Sequence, residues 1–184
     1  MTDPSQDYRT PARLLHWIVA LFVLLTIPAG FIMIQDGLAR PVQNTLFVFH
    51  KNIGVILFLL VLLRLAYRWL RPPPPVPETL HPLQAMAARV SHVLLYTLLL
   101  VMPLAGYIRV RAGRFPIEGL DALGIGTLVP RSEALANAAK ALHFYGAYAI
   151  AALIAIHIGA ALLHGLILRD GVFARMWPPL ARRR

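Results

Sequence analysis

The sequence predicts an all-α membrane protein, a four-transmembrane-helix bundle. Three observations predict it. The 184-residue chain is 58% hydrophobic and only 14% charged, with a mean hydropathy of +0.64, too little charge for a water-soluble domain of this size. Its apolar residues fall into four runs, 14–34, 46–63, 90–108 and 141–168, each close to the ~20 residues that span a bilayer. Its arginines sit at the ends of those runs rather than within them. Helices are therefore expected at about 14–34, 46–70, 88–108 and 141–168, in a single domain covering 1–184 with no room for a soluble second domain.

The first run is too long for a cleaved signal peptide and carries His16 and Trp17 near its start, so it is expected to be retained. Residues 1–12 are polar and lead into the first helix near Pro11, because proline is tolerated in a first helical turn. Pro28 and Gly30 are expected to kink or end that helix. Residues 35–44 read as a short loop, with Asp36-Gly37 and Pro41 as turn signals. The second helix ends in Arg64-Leu-Ala-Tyr-Arg68-Trp69-Leu-Arg71, an interfacial anchor whose arginine stems snorkel to the headgroups. The prolines from Pro72 to Pro77 cannot continue it and predict a stiff polyproline spacer. The third helix contains Pro103 and Gly106 near its far end. Residues 109–140 form the longest loop, in which the Ala-rich 132–140 predicts a short surface helix leading into the fourth span.

The formal charge of +10 does not indicate nucleic acid, because the cations flank the spans. With four spans both termini share one face. That face carries eleven Lys and Arg, the other seven, so the termini are expected to be cytoplasmic and the protein to be a multi-pass inner-membrane protein in contact with lipid. The chain has no cysteine, which excludes thiolate metal sites, iron–sulfur clusters and covalent c-type haem attachment.

Four histidines lie in these apolar segments, where an ionisable residue marks a functional site by default. His143 and His157 are fourteen residues apart, about 21 Å along a helix and about 40° around it. His16 opens the first span and His50 lies four residues into the second, so their depths differ by about 20 Å. His16 can therefore face His157 at the cytoplasmic side and His50 can face His143 at the periplasmic side. His164 competes with His157, but it lies about 31 Å from His143 on the same rise. One such histidine alone would be read as an interhelical hydrogen bond. Two pairs at matched depths instead suggest bis-histidine ligation of two haems b stacked across the bilayer, which pass electrons and leave the iron no open position.

The order of short motifs adds to this. Tyr8 is followed by Arg13-Leu-Leu-His16-Trp17, His50-Lys-Asn-Ile-Gly54, Ser91-His92-Val-Leu-Leu-Tyr96 and Met102-Pro103-Leu-Ala-Gly106. Leu142-His143, His157-Ile-Gly-Ala-Ala-Leu-Leu-His164 and Arg169-Asp170-Gly-Val-Phe-Ala-Arg175-Met176-Trp-Pro178 complete the series. Over nearly its whole length the chain resembles the bacterial cytochrome b561 family. The resemblance implies haem ligation by His16, His50, His143 and His157, with iron as the bound metal and ubiquinone as a substrate. It also implies one of two activities: superoxide oxidation coupled to ubiquinone reduction, or service as the cytochrome subunit of a separate dehydrogenase or other protein donor.

The remaining candidates divide by face. Lys51, Arg109, Arg111, Arg114 and Lys140 fall near the outer histidine pair and would steer an anion such as superoxide. The alternative is contact with lipid headgroups or haem propionates. His92, His164, Arg13 and Arg64 fall near the inner pair and are the quinone candidates, since a histidine can both hydrogen-bond a quinone carbonyl and supply a proton. His81 is expected at a solvated surface. A haem-free scaffold or transporter that uses its histidines for packing or proton relay is a third reading of the chain.

Overall fold

The computed structural model describes residues 8–77 and 80–180. Among them there is no strand. Helices α1 (Thr10–Ile32), α2 (Arg40–Leu70), α3 (Pro82–Ala112) and α5 (Glu133–Leu162) are long and apolar enough to cross a membrane, and the short α4 (Glu118–Ala122) lies between α3 and α5. The last helix continues as a π-helical turn over Leu163–Leu168, and a 3₁₀ turn follows at Phe173–Arg175. Arg182, Arg183 and Arg184, which entered the charge comparison, lie outside the described residues, as does most of the polar N-terminal segment.

Each helix starts before its apolar stretch, because hydropathy marks the hydrocarbon core while helical hydrogen bonding continues into the interface, and α1 ends at Ile32, two residues short of its run. Three starts use proline, the first being Pro11 in α1, as expected. Pro41, expected to mark a turn, instead occupies the first turn of α2, and Pro82 does the same in α3, where no helical N–H is lost. His81, expected to be merely solvated, caps α3 by accepting from the Leu83 N–H at 3.3 Å. Ser132 caps α5 through its Oγ, which accepts from the Leu135 N–H at 3.2 Å. The Ala-rich helix expected at 132–140 is thus continuous with the fourth span. Pro28 and Pro103 do not end their helices. The loop between α1 and α2 shrinks to a tight turn with Gly37 at φ 82°, the left-handed conformation that glycine adopts without a Cβ clash.

The helices pack as two pairs, α1 with α2 and α3 with α5, joined along α2 and α3, whereas α1 and α5 hardly meet as backbones. Val19, Val23, Leu57 and Val61 form the buried core, flanked by Leu99, Leu100 and Ile154. Few large side chains are buried otherwise. Leu21, Leu59, Ile156 and Ile167 all face outward, as a lipid-embedded bundle requires. α1 begins, and α5 ends, on the same face as the α2–α3 connection: the Arg175 Nη2 donates to the Pro75 carbonyl at 2.7 Å, and the Arg175 guanidinium lies 5.7 Å from the Tyr8 ring. This is the terminal face. The α1–α2 turn and α4 lie on the opposite, loop face.

Candidate functional site

The histidines converge at two levels, with the valine and leucine core between them. At the loop-face level the His50 and His143 rings have centroids 5.9 Å apart and planes at 80°. At the terminal-face level His16 and His157 are 6.3 Å apart with planes at 75°. An imidazole nitrogen sits about 2 Å from a metal it binds, so two rings on opposite sides of one iron have centroids about 6 Å apart. Both pairs have this spacing.

The loop-face pair is held by a repeated device. His50 Nδ1 lies 3.0 Å from the Thr26 carbonyl of α1, and His143 Nδ1 lies 3.0 Å from the Met102 carbonyl of α3. Four residues beyond each carbonyl stands a glycine. A Cβ on Gly30 would come within 2.8 Å of His50 Cε1, and one on Gly106 within 3.2 Å of His143 Cε1. The missing Cβ atoms are what let each ring reach its carbonyl. Donation from Nδ1–H leaves Nε2 with its lone pair free, the tautomer a metal-binding histidine needs. Around the rings, between the four long helices, lies a cavity of ≈380 Å³ lined by Thr26, Gly30, His50, His143, Arg109 and Lys140 among others. The Thr26 Oγ1 is buried there with no partner among the described residues. Haem fits this chemistry: a largely apolar cavity, two imidazoles each with a free Nε2, and two cations among the lining residues.

At the terminal-face level His157 also meets the His92 ring, edge-on, at 5.7 Å. Three imidazoles thus gather at this level, with His92 near the inner pair as expected. His164 is held elsewhere: its Nδ1 lies 2.5 Å from Asp170 Oδ2. Partial burial pushes the Asp170 carboxyl up, but hydrogen bonds from His164 and the Val172 N–H outweigh it and hold its pKa below the usual range. Arg13 is buried and donates to the Pro178 carbonyl. Arg64 donates from Nε to Tyr96 Oη at 2.8 Å. The C-terminal segment folds under α1, with Trp17 Nε1 donating to the Met176 carbonyl at 2.9 Å and Trp17 stacked edge-on against Trp177 at 5.2 Å.

The expected cations at the loop face separate into two groups. Arg109 and Lys140 line the cavity, and Arg114 is exposed just beyond α3. Lys51 and Arg111 are neutralised instead, by Glu118 at 2.7 Å and Asp121 at 2.6 Å. Lys51 also donates to the Pro116 carbonyl at 2.7 Å, and Asn52 both donates to Glu118 at 2.9 Å and accepts from the Gly119 N–H at 2.7 Å. Partial burial raises the Glu118 pKa, but its hydrogen bonds from Lys51 and Asn52 bring it below the usual carboxylate range. These bonds strap α4 against the loop-face half of α2, next to the buried Ile117. The acidic residues Glu118 and Asp121 in an otherwise basic loop are the signal for this strap in the sequence.

The molecule is therefore a membrane-embedded four-helix bundle with histidines paired at two levels of its interior, an arrangement suited to b-type membrane cytochromes. The model of the family described as Prokaryotic cytochrome b561 matches residues 7–179, and the chain belongs to that family of haem-binding membrane electron-transfer proteins. It is 28% identical over 179 residues to "Cytochrome b561 homolog 2" of Escherichia coli (strain K12), covering 95% of this chain and 93% of that one. It is 31% identical over 177 residues to "Cytochrome b561 homolog 1" of the same organism, covering 89% and 93%. It is 27% identical over 168 residues to "Probable superoxide oxidase CybB" of Yersinia pestis, covering 89% and 92%.

Proposed function

We propose that the chain is a superoxide:ubiquinone oxidoreductase of the bacterial inner membrane, with the loop face periplasmic and the terminal face cytoplasmic. Two pairs of histidines, one toward each face, carry this reading. Bound between His50 and His143 and between His16 and His157, two haems b would supply one-electron carriers with no vacant position for oxygen. Arg109 and Lys140 hold positive charge at the periplasmic cavity and raise the local concentration of a small anion. The buried Val19, Val23, Leu57 and Val61 keep water out of the space between the two levels. On the cytoplasmic side His164, oriented by Asp170, supplies a proton to a reduced quinone oxygen, and Arg13, Arg64 and His92 complete the polar surroundings. Two superoxide ions each lose one electron to become dioxygen, and one ubiquinone gains those two electrons and two protons to become ubiquinol. The relative named as a probable superoxide oxidase supports the choice of donor.

One observation favours a second reading, a cytochrome subunit served by a protein donor. Phe115, Leu123 and Leu128 of the segment between α3 and α5 are each exposed, Leu128 by 88%, and exposed large apolar side chains there suit a docking partner. The two are separated by generating superoxide over the purified, haem-loaded protein with ubiquinone present. Haem reduction and quinol formation that superoxide dismutase abolishes are expected. Haem bands that dithionite reduces and superoxide does not would point to the protein donor.

A further inference from the structure

At the terminal face a second cavity, of ≈180 Å³, lies between the start of α1, the end of α2 and the Pro72–Pro74 run. Arg9, Arg64, Arg68 and Arg71 line it, with Tyr67 and Tyr96, and among the described residues no carboxylate does. Among the described residues the acid at this face is Asp170, which is engaged by His164. The guanidinium groups of Arg64 and Arg68 both lie against the single Tyr96 ring, at 5.8 and 5.9 Å. Arg64 Nη1 is buried with no hydrogen-bond partner among the described residues. Like charges gathered on one ring repel, and the ring face offsets only part of that repulsion. A buried charged donor without an acceptor is costly. Both features are relieved by an anion in the cavity.

The chemistry selects its kind. Guanidinium groups bind the oxygens of phosphate in paired hydrogen bonds, and tyrosine hydroxyls can add to them. The cavity sits at the helix ends of the terminal face, where the apolar stretch of α2 gives way to Arg64, Arg68 and Arg71 and the chain leaves the helix at Pro72. A basic pocket between helix ends at this level is suited to a lipid headgroup. We propose that the pocket formed by Arg9, Arg64, Arg68 and Arg71 holds the phosphate of an anionic phospholipid.

The test uses haem-loaded protein in zwitterionic detergent, titrated with phosphatidylglycerol and followed by native mass spectrometry and thermal unfolding. The wild type should retain a bound lipid and gain in Tm. The double variant Arg68→Gln, Arg71→Gln should bind it at least tenfold more weakly, whereas Arg131→Gln on the opposite face should behave as the wild type. Should the double variant not fold, each single substitution should weaken lipid retention at least threefold. Equal retention by all variants would overturn the proposal. So would displacement of the lipid by millimolar inorganic phosphate, which would make this a site for a soluble anion. Loss of haem with unchanged lipid retention would also overturn it, since the arginines would then serve haem propionates.

Discussion

Gly30 meets the His50 ring with no Cβ between them, and replacing it with alanine tests how tightly that ring is held. The new Cβ would sit 2.8 Å from Cε1 and 3.1 Å from Nδ1. Carbon atoms in contact settle at about 3.5–4.0 Å, so the ring must retreat by roughly 0.7 Å or more. That lengthens the 3.0 Å Nδ1 bond to the Thr26 carbonyl beyond useful reach. Losing such an outer partner of a metal-binding histidine costs about 10–100-fold in affinity, or about 1.4–2.8 kcal/mol. At Gly106 the corresponding distances to His143 are 3.2 and 3.4 Å, so the ring there needs to yield only a few tenths of an ångström and the loss should be smaller. Helix propensity works the other way, since alanine in place of glycine favours a helix by about 1 kcal/mol. The assay is haem content per polypeptide, followed by haemin titration of the depleted protein. Gly30→Ala is expected to lose most of one haem and Gly106→Ala less. Haem affinity in Gly30→Ala within twofold of the wild type would refute the reasoning, as would a larger loss in Gly106→Ala.

Neutralising the cavity rim with Arg109→Gln and Lys140→Gln should lower the superoxide-dependent rate severalfold at low salt, with the gap from wild type narrowing as ionic strength screens the charges; a salt-independent gap in stopped-flow rates would contradict steering. His157→Ala should remove the inner haem, whereas His92→Ala should leave two haems bound, by pyridine haemochrome assay; the reverse pattern would make His92 the ligand. Glu118 ionises below the usual carboxylate range because of Lys51 and Asn52, so the α4 strap should be fully formed above the ordinary pKa of about 4.3 and lost as pH falls through the lower folded value. Hydrogen exchange over 115–123 should accordingly speed up in acid relative to pH 7 after correction for intrinsic rates, and Glu118→Gln should already show faster exchange at pH 7.

The four spans were legible because lipid imposes long apolar runs, and the depth of the histidines was legible because helical rise is constant. The pairing of His16 with His157 and of His50 with His143 needed only that arithmetic. The strap was signalled only by the acidic Glu118 and Asp121, and its partners were not legible, because ion pairs such as Lys51 with Glu118 join residues 67 positions apart that no local pattern connects. The roles of Gly30 and Gly106 were also hidden. Each stands near a proline, and the Pro28 neighbourhood reads as a kink or end, whereas both helices continue and the glycines open a path to a carbonyl on a neighbouring helix. His92 was placed near the inner level, but its edge-on contact with His157 depends on the rotation of α3. The π turn at Leu163–Leu168 re-aims His164 toward Asp170, and a constant 100° per residue cannot anticipate that.

The most direct test of the account is the number and spin state of the haems in the purified protein. Pyridine haemochrome quantitation and low-temperature electron paramagnetic resonance should find two haems b per chain, both low-spin and six-coordinate, with His50→Ala and His16→Ala each removing a different one. A single haem, or a high-spin iron with an open position in the wild type, would contradict the paired-histidine reading.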